Sequence, residues 1–468
     1  MLVLFLTIYF GLLLGFGIFS YKKVESSDDY FLAGRNLSVR FAAPSIVATW
    51  FGAGSCVGVA ASMYSGGVED IIADPFGCTL SLVLCSLFFA SALRKRGLTT
   101  INEILGKTYG ETLERGTSIL TIPFYVGTLG AQFLAIGILL NFMTQLPLEL
   151  CVLVSACVVL FYTLMGGLWA VVLTDGLQLA ILTVSLCTLA WPIFTDSQVF
   201  FSCVTILWNE SSALLPSEHP VHGTWNYWGQ WLMTGFGAMM GQDLIQRVLA
   251  CKSERTARAS TLLAGAMYLT LGMIPILIGV YARSLFQQID DPQHVVPMLA
   301  ESLNSQAIYA LFLTGILSIT MSTADSYLLA GATVITQNVM PLKSRQNLKN
   351  VRWVSLLMTA GAVIVALWIR DIYSIMVHSG AFLSVAIFVP VAGALVLRSP
   401  HSLSGKVSSV SGILGWLAYI IYYFSAADLD HLLYASAFVG MVSSLSAYSV
   451  THIYCNRRII HEKQKVLV

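Results

Sequence analysis

"ATWFGAGSCVG", Ala48–Gly58, lies inside an apolar run long enough to cross a bilayer, yet it holds three glycines, a serine and a tryptophan. A glycine in a helix interior costs about 0.5–1 kcal/mol relative to alanine, so this composition at midplane needs a reason. Close helix packing through small residues is one, and Gly54 and Gly58 have the four-residue spacing for it. An interrupted helix is the other, because a break frees backbone groups to hold ions and substrate. A second glycine-rich stretch, "TGFGAMMGQ" at 234–242, stands in a corresponding place of the second half. Matching breaks in two halves point to a central binding site.

The surroundings fix the solvent. Of 468 residues, 56% are hydrophobic and 10% charged, where a soluble domain carries about 25% charged residues. Thirteen apolar runs reach the roughly 20 residues that span a bilayer core: 2–20, 42–66, 74–93, 117–143, 147–166, 168–194, 226–249, 259–285, 306–338, 353–370, 372–397, 405–425 and 430–454. An all-α polytopic membrane protein with about thirteen helices is expected, without the short alternating strands of a barrel. The first run has no basic residue ahead of it and is followed by Lys22 and Lys23, which reads as an uncleaved helix rather than a signal peptide. With the N-terminus outside and the C-terminus in the cytoplasm, 23 of the 25 basic residues fall on the inner side, Arg283 and Arg370 being the exceptions. The positive-inside rule therefore sets the orientation, in a plasma or bacterial inner membrane.

A formal net charge of +1 suggests no nucleic-acid partner. The nine cysteines are scattered and make no metal-ligand pattern. No nucleotide-binding glycine loop or nucleophile–base arrangement appears, so an enzyme and an organic cofactor are not expected. The longest loop, about 195–225, has no lysine or arginine.

Polar groups at membrane depth mark function. In "GILSITMSTADSYLLAG", residues 315–331, Ser318, Ser322, Asp325 and Ser326 share one helix face, with Thr314 continuing it and Thr323 at its edge. Hydroxyl and carboxylate oxygens suit a hard cation. The run itself, about 50 Å long at 1.5 Å per residue, exceeds the bilayer core. In "GGLWAVVLTDGLQ", residues 166–178, Asp175 reads either as an interfacial carboxylate or as an ion-path residue. Asp243 and Arg247, four apart, read as a helix-stabilising ion pair. His378 and Ser379 read as hydrogen-bonded core residues.

Runs two to six and seven to eleven form two blocks of five, and an odd number forces the second block to enter from the opposite side. The blocks cover 42–194 and 226–397, preceded by a leading helix, 2–20, and followed by two C-terminal helices, 405–454, in one transporter domain, 1–468. At this point the chain resembles the sodium:solute symporters, through "DYFLAGR" (29–35), "ATWFGAG", "RKRGLTTINEILGKTYG", "LMGGLWAVVLTDGLQL", "QRVLACKSERTA" and "MSTADS". The resemblance implies a LeuT-like five-plus-five inverted repeat. It also implies a principal sodium site at the carbonyls of Ala48, Phe51 and Ile319 and the hydroxyls of Ser322 and Thr323. A second sodium site would use Asp175, Ser322, Asp325 and Ser326. Within the family, "ATWFGAG…DPFGCTLSLVL" and "TADS" look closest to the high-affinity choline transporter branch, whose tryptophans box a quaternary ammonium by cation–π contact. Trp50 matches one of these tryptophans; the equivalents of two others fall near Gly130 and Gly241, which removes walls of the cage and leaves room for a bulkier solute.

The expected function is sodium-coupled import of a small organic solute by alternating access. A cation or zwitterion, such as a choline-like amine or an amino acid, is favoured by Trp50 and Asp74. Thr49, Trp50, Gly52, Ser55, Asp74, Gly237, Met240 and Gln242 are the expected substrate-binding residues. Sodium ions, the solute and membrane lipid are the expected partners, with the monomer as the working unit. A monocarboxylate symporter, a passive channel and a non-transporting solute receptor are the competing readings. The monocarboxylate would call for a positive residue in the pocket.

Overall fold

The computed structural model describes residues 2–211, 223–286, 288–303, 305–341, 347–369, 383–397, 399–423 and 429–466. Arg370, His378 and Ser379 lie outside the described residues. The described residues are helical almost throughout; among them a single parallel backbone bridge joins Leu37 and Cys251.

The first helix, α1, is Leu2–Tyr21. Next, α2, Val39–Trp50, and α3, Gly54–Ser65, meet at a bend of 67°. The break is an inverse γ-turn: Phe51 has φ −79° and ψ 69°, and the Gly52 N–H bonds the Trp50 carbonyl at 2.9 Å, the three-residue geometry of that turn. Then come α4, Val68–Lys95, the short α5, Asn102–Tyr109, and α6, Glu111–Thr144.

Helix α7, Leu148–Leu189, is 42 residues long but turns back on itself at Gly167, where φ is +51°. The Tyr162 hydroxyl reaches the Met321 carbonyl at 3.4 Å. Gln178 bonds the Tyr9 hydroxyl at 2.8 Å, and that hydroxyl reaches the Met321 sulfur at 3.6 Å. Residues 162 and 178 would be about 24 Å apart along a straight helix, so α7 is two antiparallel arms. Glycine is required at the apex: a Cβ there would stand 2.3 Å from the Tyr30 carbonyl oxygen.

The stretch expected as the longest loop carries a 14-residue helix, α8, Ser197–Glu210, capped by Asp196. The second broken span consists of α9, Gly223–Leu232, a wide and a tight turn through Met240, an extended Gly241 (φ −64°, ψ 131°) and α10, Gln242–Ala250. It is followed by α11, Glu254–Leu285, α12, Gln306–Val339, α13, Leu348–Ile369, α14, Ser384–Val396, α15, Ser402–Tyr423, and α16, Leu429–Val466.

Against the thirteen expected spans, six helices among the described residues are long and apolar enough to cross a membrane, or seven with the bent α2–α3 pair. The second broken span falls short by that measure because its break leaves pieces of 10 and 9 residues, α9 and α10. Polarity is inverted as lipid requires: Trp368 is 84% and Ile421 74% exposed, while Asp175 and Asp325 are fully buried. Helix α12 is the most enclosed span, with 78% of its apolar window buried against 61% or less in the others. The site is built around it.

Candidate functional site

The γ-turn at Phe51 has a direct chemical consequence. In an unbroken helix the Gly52 N–H would bond the Ala48 carbonyl; here it turns to Trp50. The Ala48 carbonyl is thereby released inside the bundle, where Ser322 Oγ of α12 stands 3.1 Å away. One residue on, Thr323 Oγ1 lies 3.2 Å from the Ile319 carbonyl, and a Cβ on Gly52 would come within 3.2 Å of the same Thr323 oxygen. Ala48, Phe51, Ile319, Ser322 and Thr323 are all buried. The break in α2–α3 and the hydroxyl edge of α12 thus meet, with hard oxygen donors from both sides.

The polar stripe of α12 faces the two arms of α7. Ser318 reaches the Gln178 carbonyl at 3.4 Å, Ser322 donates to Asp175 Oδ1 at 2.5 Å, and Tyr162 donates to Asp325 Oδ2 at 2.7 Å. Asp175 is fully buried, so the interfacial reading of this carboxylate does not hold.

Arg247 differs most from expectation. It is 1% exposed and forms no side-chain pair with Asp243: its Nη1 bonds the Asp243 main-chain oxygen at 2.8 Å. Its ion pair is with Asp175, Nη2 to Oδ2 at 2.9 Å. It also donates to Ser45 at 2.7 Å and to Ser326 at 2.6 Å. Ser45 in turn donates to Asp175. The Asp243 carboxylate instead accepts the Trp50 indole N–H at 2.7 Å.

On the other side of the break, Asp74 sits in an extended piece of α4 (φ −140°, ψ 122°). Ser55 donates to it at 2.5 Å, and the Tyr268 hydroxyl of α11 donates at 3.0 Å. That hydroxyl also lies 3.4 Å from the Trp50 carbonyl. Trp50, half-buried, therefore has one carboxylate at its indole and another beside its main chain. Gly54 is exposed, and a Cβ on Gly54 or Gly58 would meet nothing within 4 Å. These glycines line open space rather than a helix contact.

Several expected residues belong elsewhere. Thr49 turns to Ser326, 3.2 Å away, on the ion-binding side. Gln242 is consumed structurally: its Oε1 accepts from Ile101 N–H at 3.0 Å and its Nε2 donates to the Thr99 carbonyl at 2.9 Å. Gly237 packs on Ser384, whose Oγ a Cβ would meet at 1.7 Å, and Gly130 packs on the Ala362 carbonyl, so neither makes room for solute. Met240 is a buried core side chain. Gly241 is the break itself. Tyr162, Tyr268 and Ser45 went unread in the sequence, although Ser45 precedes Thr49 by one helical turn and lies on its face.

The comparisons bear on this geometry. Among solved structures, a Na+-coupled sialic acid symporter in its substrate-bound outward-open state superposes with TM-score 0.81 at 16% identity, covering 97% of each chain. A nucleobase-cation-symport-1 family transporter in a closed conformation gives 0.53 at 13% identity, covering 92% of this chain and 95% of its own. The protein shares their fold. In sequence, high-affinity choline transporter 1 of Drosophila melanogaster is 28% identical over 397 residues, which are 80% of this chain and 63% of that protein. The human high affinity choline transporter 1 is 26% identical over 415 residues, 83% of this chain and 70% of that one. The chain thus spans under two thirds of the length of the fly relative and somewhat more of the human one. Residues 30–398, from ahead of α2 to just beyond α14, match the model of the sodium:solute symporter family, and the chain belongs to that family.

Proposed function

We propose that this protein imports a small cationic solute together with sodium, by alternating access. The observation that carries the sodium half is the Ala48 carbonyl, released by the γ-turn and facing Ser322. A sodium ion there would be held by the carbonyls of Ala48, Phe51 and Ile319 and the hydroxyls of Ser322 and Thr323. It would tie the broken α2–α3 to α12 and so complete the solute pocket beside Trp50. Inward movement of each sodium is worth about 2.3 kcal/mol per 100 mV.

Charge supports a cation over an anion. Four aspartates, Asp74, Asp175, Asp243 and Asp325, face the core of the bundle, and Arg247 is the one buried lysine or arginine among the described residues. Arg247 is paired with Asp175, so no unpaired buried lysine or arginine is left among the described residues for a monocarboxylate, which would add a further negative charge at membrane depth. Asp243 at the indole of Trp50, and Asp74 beside its main chain through Ser55 and Tyr268, supply carboxylates near an aromatic ring suited to an ammonium group.

The test is a thermal-shift screen of the purified protein with quaternary amines, amino acids and monocarboxylates, each with and without sodium. A ligand stabilises by RT ln(1 + [L]/Kd), so coupling appears as a solute shift that grows with sodium. An amine that acts only in sodium is the expected result. A monocarboxylate hit, or a hit indifferent to sodium, overturns the reading.

A further inference from the structure

The proposed sodium site and the residues expected to hold a second sodium share one hydroxyl, that of Ser322. Its single proton goes to Asp175 Oδ1 at 2.5 Å, which leaves its lone pairs for the Ala48 side. The other carboxylate oxygen, Oδ2, accepts from Arg247 and from Ser45. Ser326 accepts from the same guanidinium at 2.6 Å, lies 3.2 Å from Thr49 and donates to Asp325 Oδ1 at 3.2 Å. Asp325 Oδ2 accepts from Tyr162. Both carboxylates and the Ser326 hydroxyl expected to ligate a second sodium therefore already have proton donors on each oxygen, and the donor in the middle is a cation fixed to the chain.

We infer that Arg247 occupies the place of the second sodium, so that one sodium ion is bound and carried per cycle. The inference rests on the sodium-symport reading above. Charge is its first support: a fixed cation, Arg247, already pairs with Asp175, the carboxylate that a second sodium would need. Geometry is the second. All three guanidinium nitrogens are engaged, by Ser45 of α2, by Asp175 of α7 with Ser326 of α12, and by the main chain of its own helix. Seating an ion on Asp175 would take from this fork its one charged partner and leave a buried guanidinium held by neutral groups alone. Asp175 is then a positioning residue: held by Arg247, it takes the Ser322 proton and turns the hydroxyl oxygen toward sodium.

The experiment counts ions directly. Binding of 22Na+ to the purified protein in nanodiscs, by scintillation proximity, should saturate at one sodium per chain. Two per wild-type chain overturns the inference and leaves sodium symport standing; none overturns the sodium reading itself. Arg247→Gln frees Asp175 and should raise the count to two, and adding Asp175→Asn should return it to one. A count that stays at one in folded Arg247→Gln also overturns the inference. Should that variant fail to fold, the wild-type count decides alone.

Discussion

Ser322 touches both halves of the ion chemistry, the released Ala48 carbonyl and the Asp175 carboxylate. Removing its hydroxyl takes one ligand from sodium and one donor from a buried charge. A hydrogen bond to a charged group is worth about 1.5–3 kcal/mol, so Ser322→Ala should raise the half-saturating sodium concentration roughly ten- to a hundredfold. A sodium titration of the thermal shift reads this, and an unchanged midpoint would remove Ser322 from the site. Asp74 is tested by a neutral isostere. Asp74→Asn keeps a side chain able to meet Ser55 and Tyr268 but loses the charge, so affinity for an amine should fall about tenfold or more with sodium binding intact. Equal loss of both would make Asp74 a packing residue. The oxygen stripe of α12 was legible because helical spacing alone collects Ser318, Ser322, Asp325 and Ser326. Arg247 was misread for the same reason in reverse. Its local partner at four residues is Asp243, whereas its actual partner, Asp175, lies 72 residues away, and no short-range pattern carries that pairing. Gln242 and Gly237 were drawn into the site by standing near a break, while their contacts come from Thr99, Ile101 and Ser384.

Among the elements, α7 and the α2–α3 pair use glycine for opposite purposes, and alanine substitution separates them. At Gly167 the backbone is left-handed and a Cβ would press on the Tyr30 carbonyl. Gly167→Ala should destabilise the protein by roughly 1–3 kcal/mol from backbone strain alone, seen as an earlier thermal transition and lower yield. At Gly54 the space is open and the conformation helical. Gly54→Ala should leave the thermal transition of the unliganded protein in place and weaken solute binding by narrowing the open space beside Ser55. A destabilised Gly54→Ala, or a Gly167→Ala that melts like wild type, would reverse these assignments. Both breaks were legible as glycine-rich interruptions in long apolar runs. The Ala48 carbonyl was named through the family resemblance; the γ-turn at Phe51 that releases it was not legible. Helix α8 stayed hidden because its short, mixed sequence falls outside both the membrane pattern and any strong propensity.

For the whole molecule, the arginines at one end of the bundle carry structural work as well as charge. Arg35 donates to the Leu98 carbonyl at 3.1 Å and the Gly97 carbonyl at 3.2 Å, Arg96 donates to the Ala394 carbonyl at 2.7 Å, and Arg94 donates to the Cys251 carbonyl. The opposite end has one described basic residue, Arg283, and it is tied to Glu210 at 2.7 Å and to the main chain of Tyr64 at 3.0 Å. If the basic end is cytoplasmic, as expected from the distribution of lysine and arginine, sodium would reach the proposed Ala48–Ser322 site from the side of Arg283 and leave past Ser45, Asp175 and Arg247. Trypsin reports this orientation, because it cuts after lysine and arginine. Applied to right-side-out vesicles it should spare the loops around Arg96, Lys252 and Lys349, and applied to inside-out vesicles it should release fragments ending in them. Cleavage in those loops from the outside would place the basic end outward. The Asp175–Arg247 pair would then stand between external sodium and its site, and import driven by an inward sodium gradient would lose its entry path.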